Sequence, residues 1–537
     1  MIWVDSTQII VIKAWHQSPH LVNAKLLKDV LQPFVRFTAL AIALEFNMEE
    51  KPFMMRASMP RKFVTFKIWP RPDIFMTDIS IQPLRPPAPA PLEHPVGFIK
   101  AYRLLRKNPI ETWTRAHFEL PIVIGPTIFG LTAVVNDPAA IRRVLVDNAA
   151  NYRKDDLQRR LIGPGLRDGL LEAEGEDWRF QRRTLAPLFT PKTIASFEPA
   201  MQAAAQELVL RLSRWRDGRV IDVQSETARV TLDILGRTIF SDGLGRDWNE
   251  FVAALSELLA AIGHLDLFDL LNLPDWVPRL SKFGGRSAER FFTKAVEDLI
   301  ARRKRLLAED RTNSPPDILT LLLNARDPDT GSKLSDNQVM SNIRTFIAAG
   351  HETTSNALTW SLFLLSQSPQ WQDVLAQEAS DVLAGPAENQ VARLIKTRAV
   401  IEEAMRLYPP AASMSREAIG PDDLAGRRIR KGTLVIVAQW VLHRHRRLWA
   451  DPDCFDPRRF LPEARDKIDR FAYLPFGAGP RICIGAAFSM QEAAIILAHL
   501  MRAFRFEHQK GHVVVPVQRI TLRPADGMPL ILRRRSP

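Results

Sequence analysis

Residues 476–485 read Phe-Gly-Ala-Gly-Pro-Arg-Ile-Cys-Ile-Gly, and no other stretch of the chain restricts the fold so strongly. Cys483 sits in a loop marked by Gly477, Gly479 and Gly485, just before a run of small and apolar residues over 484–504 that reads as a helix. A helix N-terminus offers N–H donors and a positive dipole end, both of which stabilise a thiolate. Glycines in such a loop permit unusual dihedrals and let the backbone approach a large flat ligand. Arg481, two residues earlier, can pair with a carboxylate. The chain's other cysteine, Cys454, lies 29 positions away. Two cysteines supply neither a four-cysteine zinc site nor a disulfide framework, so each must act singly.

Composition narrows the setting. The chain has 537 residues, 46% hydrophobic and 25% charged, which excludes a disordered, collagenous or disulfide-stapled protein. The net charge of +13 is not gathered into a basic stripe interleaved with aromatics, so nucleic acid is not an expected partner. A spanning helix needs about 20 mostly apolar residues. The apolar run Phe37 to Leu44 is cut off by Arg36 and Glu45, and the charge-free stretch Thr353 to Gln372 is full of Thr, Ser, Asn and Gln. The expectation is therefore no transmembrane anchor, no signal peptide, reduced thiols and a cytoplasmic setting.

Residues 1–75 show no clean helical or strand period, and Met76 opens a polar, Pro-rich lead-in. The expected organisation is an N-terminal extension over 1–75, disordered or a mis-assigned start, and one catalytic domain over 76–537. Residues 121–135 suggest a hairpin around Gly130. Asp137 then Pro138 is an N-cap followed by proline at the first helical position. From about 176 to 405 the pattern is helical, with amphipathic stretches at 193–215, 221–240, 247–262 and 287–309. Ser335 and Gln338 form a capping box that opens a helix running to about Gln367. Ser368 and Pro369 are expected to cap the next helix in the same way. Strand-like runs over 411–437, a coil over 449–482 and a strand-rich end complete a mainly α chain with a minor β portion.

A lone cysteine thiolate suits the axial position of a haem iron, where it favours O–O cleavage. The pattern F-x-x-G-x-R-x-C-x-G, carried by Phe476, Gly479, Arg481, Cys483 and Gly485, resembles the haem-binding signature of the cytochromes P-450. The resemblance covers about 90–537, with further motifs in the family's order. It implies the cytochrome P-450 fold, with haem b between a long central helix and the cysteine loop. Cys483 is then the axial iron ligand, and Phe476, Gly477, Arg481 and Gly485 are haem contacts. Glu403-Ala-Met-Arg406 places a carboxylate and a guanidinium on one helix face. With Arg459 it is similar to the family's structural Glu-Arg-Arg triad, although Arg458 stands where many relatives have glutamate. Trp178 and Arg182, four apart, match the family's propionate-binding pair, and Arg416 matches a further propionate partner.

Ala349-Gly-His-Glu-Thr-Thr354 lies in the middle of the long helix. A helical glycine costs about 1 kcal/mol against alanine, so Gly350 invites an explanation. Small residues at Ala349 and Gly350 open a groove for a haem and a small gas. Glu352 and Thr353 can form an acid–alcohol relay that delivers protons to dioxygen. The rival reading is a kinked helix with threonine hydroxyls bonded back to carbonyls. His351 is assigned no role.

The resemblance implies a stand-alone, bacterial-type, monomeric monooxygenase. It would insert one oxygen atom from O2 into a small lipophilic substrate, with electrons from a ferredoxin- or flavodoxin-type donor. Arg444, Arg446, Arg447, Arg465, Lys467 and Arg470 are expected to dock that donor. The substrate pocket is expected to draw on the loop before Trp178, the helices near 240–275, Ala349 and the turn 410–414. The alternatives are a peroxide-using or isomerising haem-thiolate enzyme and a non-catalytic haem-binding sensor.

Overall fold

The computed structural model describes residues 83–156, 158–159, 168–241, 254, 286–309, 314–385 and 389–535. The extension 1–75, the stretch 247–262 apart from Ala254, and most of the expected pocket wall at 240–275 lie outside the described residues. Helices of ten or more residues are α1 (Phe98–Lys107), α2 (Gly175–Leu185), α3 (Glu198–Ser213), α4 (Val223–Phe240), α5 (Arg286–Glu309), α6 (Asp336–Ser366), α7 (Pro369–Leu383), α8 (Ile395–Leu407) and α9 (Ala486–Ala503). The strands are β1 (Ile122–Thr127), β2 (Gly130–Val135), β3 (Tyr152–Arg153), β4 (Val220–Asp222), β5 (Met414–Ala418), β6 (Asp422–Leu424), β7 (Arg427–Ile429), β8 (Leu434–Val437), β9 (Phe504–His508), β10 (Pro516–Gln518), β11 (Leu522–Pro524) and β12 (Pro529–Arg534). The fold is mainly α with a minor sheet portion, as expected.

The long central helix forms for the reason its sequence suggests. Gln338 N–H donates to Ser335 Oγ (3.2 Å), and Ser335 N–H donates to Gln338 Oε1 (3.0 Å). The 31 residues of α6 reach about 46 Å at 1.5 Å per residue. Residues 354–365 are buried on every side, which marks a helix surrounded by others. Its polar side chains are satisfied inside that core. Ser361 Oγ donates to Ala357 O (2.7 Å), Asn356 Nδ2 donates to Thr521 Oγ1 (3.0 Å), and Thr227 on α4 meets Ser355 and Thr359 at 3.0 and 2.9 Å. This explains a charge-free run with so many hydroxyls. Among the described residues, no helix is long and apolar enough to cross a membrane.

Local signals elsewhere mostly set the elements. Asp137 accepts from Ala140 N–H at 2.8 Å, with Pro138 at the first helical position. The hairpin at Gly130 pairs β1 with β2. Helix 193–215 is instead split, because Pro191 and Pro199 each start a separate helix. Ser368 contributes no side-chain cap, so α7 begins on Pro369 alone.

The main sheet has the order β1-β2-β8-β5-β3, with β2 and β8 parallel and the other neighbours antiparallel. The helical body lies in sequence between those parallel partners. Ile122, Ala133, Val135, Val435 and Val437 share one apolar cluster with Leu474 and Ala478. The sheet thereby packs against the segment that carries Cys483.

A buried ion pair ties the helices to that segment. Glu403 and Arg406 on α8 are fully buried. Arg406 Nε and Nη2 donate to the Glu403 carboxylate at 2.6 and 2.7 Å. Its other donors reach the carbonyls of His443 (2.9 Å), Pro452 (2.6 Å) and Cys454 (2.8 Å), so all five N–H groups are used. Asp456 N–H also donates to Glu403 (2.7 Å). Arg459 is the loose member: its Nε stands 3.7 Å from Glu403, while its Nη2 bonds Asp451 O at 3.0 Å. Arg458 pairs with Asp456 at 2.7 Å.

Removing one charge of a buried pair strands the other. Glu403→Gln should therefore cost about 3–5 kcal/mol. Arg459→Gln should cost much less. Denaturant unfolding of both variants beside wild type checks the order.

Candidate functional site

A single cavity of about 1190 Å³ gathers the chemistry-bearing residues. From the cysteine loop come Phe476, Gly477, Arg481, Cys483 and Gly485; from α6 come Ala349, Gly350, Glu352 and Thr353. Trp178, Arg182 and Arg416 complete the set expected around a cofactor. Glu403, Arg406 and Arg459 stand outside it, beneath the coil. Cys454 is also outside, buried, with its carbonyl bound by Arg406.

The cysteine loop is shaped by backbone contacts. Cys483 N–H donates to Phe476 O at 2.9 Å, which closes the loop, and α9 starts three residues later. Burial pushes the Cys483 thiol up, while the Gly485 backbone and the charge of Arg182 pull it down. Gly479 has φ +73°, and a β-carbon there would fall 1.9 Å from Leu145 O. Only glycine fits that position. Gly485 has open space where a β-carbon would be. The loop therefore presents a thiol and a bare backbone face to the cavity.

The opposite wall is α6. A β-carbon on Gly350 would press on the Leu235 side chain at 3.1 Å. Gly350 thus also lets α4 pack against α6, a reason that spacing alone did not reveal. Thr353 Oγ1 donates back to Ala349 O at 2.8 Å. Glu352 faces Arg523 on β11 at 3.8 Å, and its carboxylate makes no hydrogen bond with Thr353 among the described contacts. Acid and alcohol both reach the cavity, each held by another partner. On the far side of Thr354, Glu492 of α9 is fully buried, and burial pushes its carboxyl well above the usual carboxylate range. Thr354 Oγ1 meets Ser489 Oγ at 3.0 Å there.

Positive charge collects along one side of the cavity. Burial pushes Arg182, Arg416 and Arg481 down, and Lys154 down to about 8. Arg481 bonds Glu174 Oε2 (2.7 Å) and stacks on Trp178 at 4.3 Å from the ring centroid. Arg416 Nη1 bonds Ser415 O (2.7 Å). Lys154 Nζ bonds the carbonyls of Leu171 and Ala173 and stands 3.6 Å from Glu174. Lys154 and Glu174 were not expected from the sequence: in Tyr152-Arg-Lys-Asp-Asp156 the lysine looks like surface charge. Arg183 pairs with the buried Asp327 at 2.9 Å through two N–H groups.

A buried histidine secures the approach to the loop. His443 Nε2 accepts from Leu474 N–H at 2.9 Å, and burial beside Arg406 and Arg444 pushes its pKa from 6.5 down to about 3.

One buried and three half-buried cations, with Glu174 as the main carboxylate near Lys154, Arg416 and Arg481, leave room for further negative charge among the described residues, and a haem brings two carboxylates. An open thiol, a bare loop face and a small-residue wall on α6 complete the fit. Lys154, Arg182, Arg416 and Arg481 would hold the carboxylates, and Cys483 would meet the iron.

Proteins of known function match most of this chain. The family model "Cytochrome P450" matches residues 129–528. Cyclooctatin synthase of Streptomyces melanosporofaciens is 32% identical over 72% of this chain and 83% of its own length. Pentalenene oxygenase of Streptomyces avermitilis is 32% identical over 79% of this chain and 92% of its own. The human ultra-long-chain fatty acid omega-hydroxylase is 29% identical, covering 77% and 81% respectively.

The folded state needs His443 neutral. Because its folded pKa lies below the unfolded 6.5, its stabilisation is complete above about pH 6.5 and drains toward pH 3, by at most about 1.4 kcal/mol per pH unit. Thermal unfolding should show a lower midpoint at pH 5 than at pH 7.5. His443→Gln should be less stable at pH 7.5 yet lose less on acidification.

Proposed function

This chain belongs to the cytochrome P450 family, haem-thiolate monooxygenases of lipophilic substrates, and from that premise we propose that Cys483 is the axial thiolate of its haem b. The observation that carries the assignment is positional: of two cysteines, only Cys483 lines the cavity, while the environment of Cys454 is taken up by the Arg406 network. When bound, haem splits O2 with two electrons and two protons, one oxygen entering the substrate and the other leaving as water.

The chain's own residues supply placement and protons. Lys154, Arg182, Arg416 and Arg481 bind the cofactor's carboxylates, with Trp178 supporting Arg481. Phe476, Gly477 and Gly485 shape the loop face, and Ala349 and Gly350 keep the opposite wall thin. Thr353 Oγ1 turns from Ala349 O to hold a proton in the cavity. Glu352, which faces Arg523 at 3.8 Å, takes up a proton from solvent and passes it on to Thr353. Both side chains reaching the cavity supports oxygen activation over peroxide-using, isomerising or sensor chemistry, which have less need of such a relay. The apolar lining supports a small lipophilic substrate, in keeping with relatives named for pentalenene and for ultra-long-chain fatty acids.

The protein works as a stand-alone, bacterial-type, cytoplasmic monomer that receives electrons from an acidic ferredoxin- or flavodoxin-type donor. Arg447, Lys467 and Arg470 are exposed and suit that contact. Arg444 does not: it is buried with its guanidinium on the Trp440 ring at 3.7 Å. Arg446 and Arg465 are engaged by Asp453 and Glu402. Residues 1–75 are an extension outside the catalytic domain 76–537. The lead-in from Leu84 belongs to that domain, since Pro87 O accepts from the buried Tyr408 hydroxyl at 2.8 Å and Leu84 bridges Phe455.

Reduced protein with carbon monoxide should show the red-shifted Soret band of thiolate-ligated haem. Cys483→Ser should lose that band and Cys454→Ala should keep it; the reverse pattern would sink the assignment. Thr353→Ala should keep haem and substrate binding but divert most donor electrons to hydrogen peroxide or water, read as product formed per donor oxidised. Residues 76–537 expressed alone should retain haem content and thermal stability, and loss of either would return 1–75 to the domain.

A further inference from the structure

The hairpin of β10 and β11 spans from α6 to α1. At its α6 end Trp360 Nε1 donates to Leu522 O (3.1 Å), Asn356 Nδ2 to Thr521 Oγ1 (3.0 Å), and Arg523 faces Glu352. At its other end Gln518 N–H donates to Asn108 Oδ1 (3.0 Å), Asn108 Nδ2 to Pro516 O (2.9 Å), and Arg519 Nη1 to Lys107 O (2.8 Å). Residues 518–521 of the hairpin turn line the same cavity as Cys483, and so do Phe98, Ala101, Leu105 and Arg106 of α1. One wall of the cavity therefore runs from the Thr353 region to the C-terminal end of α1.

Charge along this wall is unbalanced. At the α6 end Arg523 has Glu352 as counter-ion. At the α1 end Arg519 is half-buried and bonds only the carbonyls of Lys107 and Gln518. Arg106 lies at the rim, 5.9 Å from the Tyr102 ring centroid. Neither has a carboxylate partner among the described residues. Among the described residues only two carboxylates line the cavity, and both are engaged: Asp155 by Ser415 Oγ at 2.5 Å, and Glu352 by Arg523. Burial and the nearby Arg523 push Arg519 down, as expected for a cation short of a counter-ion. The cavity lining also includes the apolar side chains of Phe98, Phe129, Leu434 and Ile520.

We propose that Arg519, with Arg106 at the rim, receives the carboxylate of a lipophilic acid whose chain lies along this apolar wall toward Cys483. A guanidinium is suited to a carboxylate because its fork of N–H donors matches the two oxygens, and partial burial strengthens the pair. Holding the acid group at the α1 end directs oxidation to chain positions remote from the carboxylate. The proposal deepens the monooxygenase assignment and rests on Cys483 being the haem ligand.

The test uses the full-length holoprotein, titrated with tetradecanoic acid and with its methyl ester. Binding is followed by the substrate-induced Soret shift and by calorimetry. Wild type should bind the acid roughly ten- to a hundredfold more tightly than the ester, the range of a charge-assisted hydrogen bond. High salt should narrow the gap. The double variant Arg106→Gln, Arg519→Gln should bind the acid no better than the ester, with ester affinity unchanged. Arg519→Lys should keep part of the preference. Equal wild-type affinity for acid and ester, or no response to either, overturns the proposal. A variant that weakens both ligands alike also overturns it, because Arg519 would then only cap the α1 carbonyls. The reduced carbon monoxide spectrum separates the two levels: its loss in wild type defeats the haem-ligand assignment, while a normal spectrum without acid preference defeats this proposal alone.

Discussion

The guanidinium of Arg406 is the point on which the rest of the molecule hangs. A buried positive charge is tolerable only when it is paired and every donor is used. Glu403 supplies the charge, and three carbonyls from residues 443, 452 and 454 supply the remaining acceptors. The coil before the cysteine loop has little regular structure, so its backbone groups need partners from outside. One side chain on α8 provides them. The same carbonyl contacts account for Cys454, which is packed into the anchor and kept away from the cavity.

From that anchor the order passes to the loop. His443 gives its carbonyl to Arg406 and its ring to Leu474 N–H, two residues before Phe476. Leu474 and Ala478 then enter the apolar cluster of the main sheet. The cysteine is thus positioned by helices on one side and by the sheet on the other. This rigidity suits a cofactor site, where a ligand must be held without help from its own loop. The cations across the cavity run the opposite way, with more positive charge buried than the described carboxylates offset.

Much of the site was legible because its chemistry is concentrated in short, ordered segments. A thiol among glycines, a capping box at 335–338 and a glycine inside a helix each carry a local signal, and the capping box forms as its spacing requires. Less legible were contacts made across long separations. Lys154 reads as one charge among several until Leu171 and Ala173 turn their carbonyls to it. Arg444 looked like surface, yet it is sandwiched against Trp440. Ser368 has the right residue type for a cap and contributes none.

The amino-acid sequence by itself determined the main helical and strand periods, several helix starts and the one thiol set in a glycine-bounded loop, because these depend on residues a few positions apart. It also determined that Glu403 and Arg406 share a helix face, three residues apart. Tertiary structure alone decided which carbonyls Arg406 holds, that Glu352 pairs with Arg523 and not with Thr353, that Gly350 yields space to Leu235, and that Arg519 meets no carboxylate among the described residues. Those outcomes depend on where distant segments meet, and burial then sets the strength of every charge they bring together.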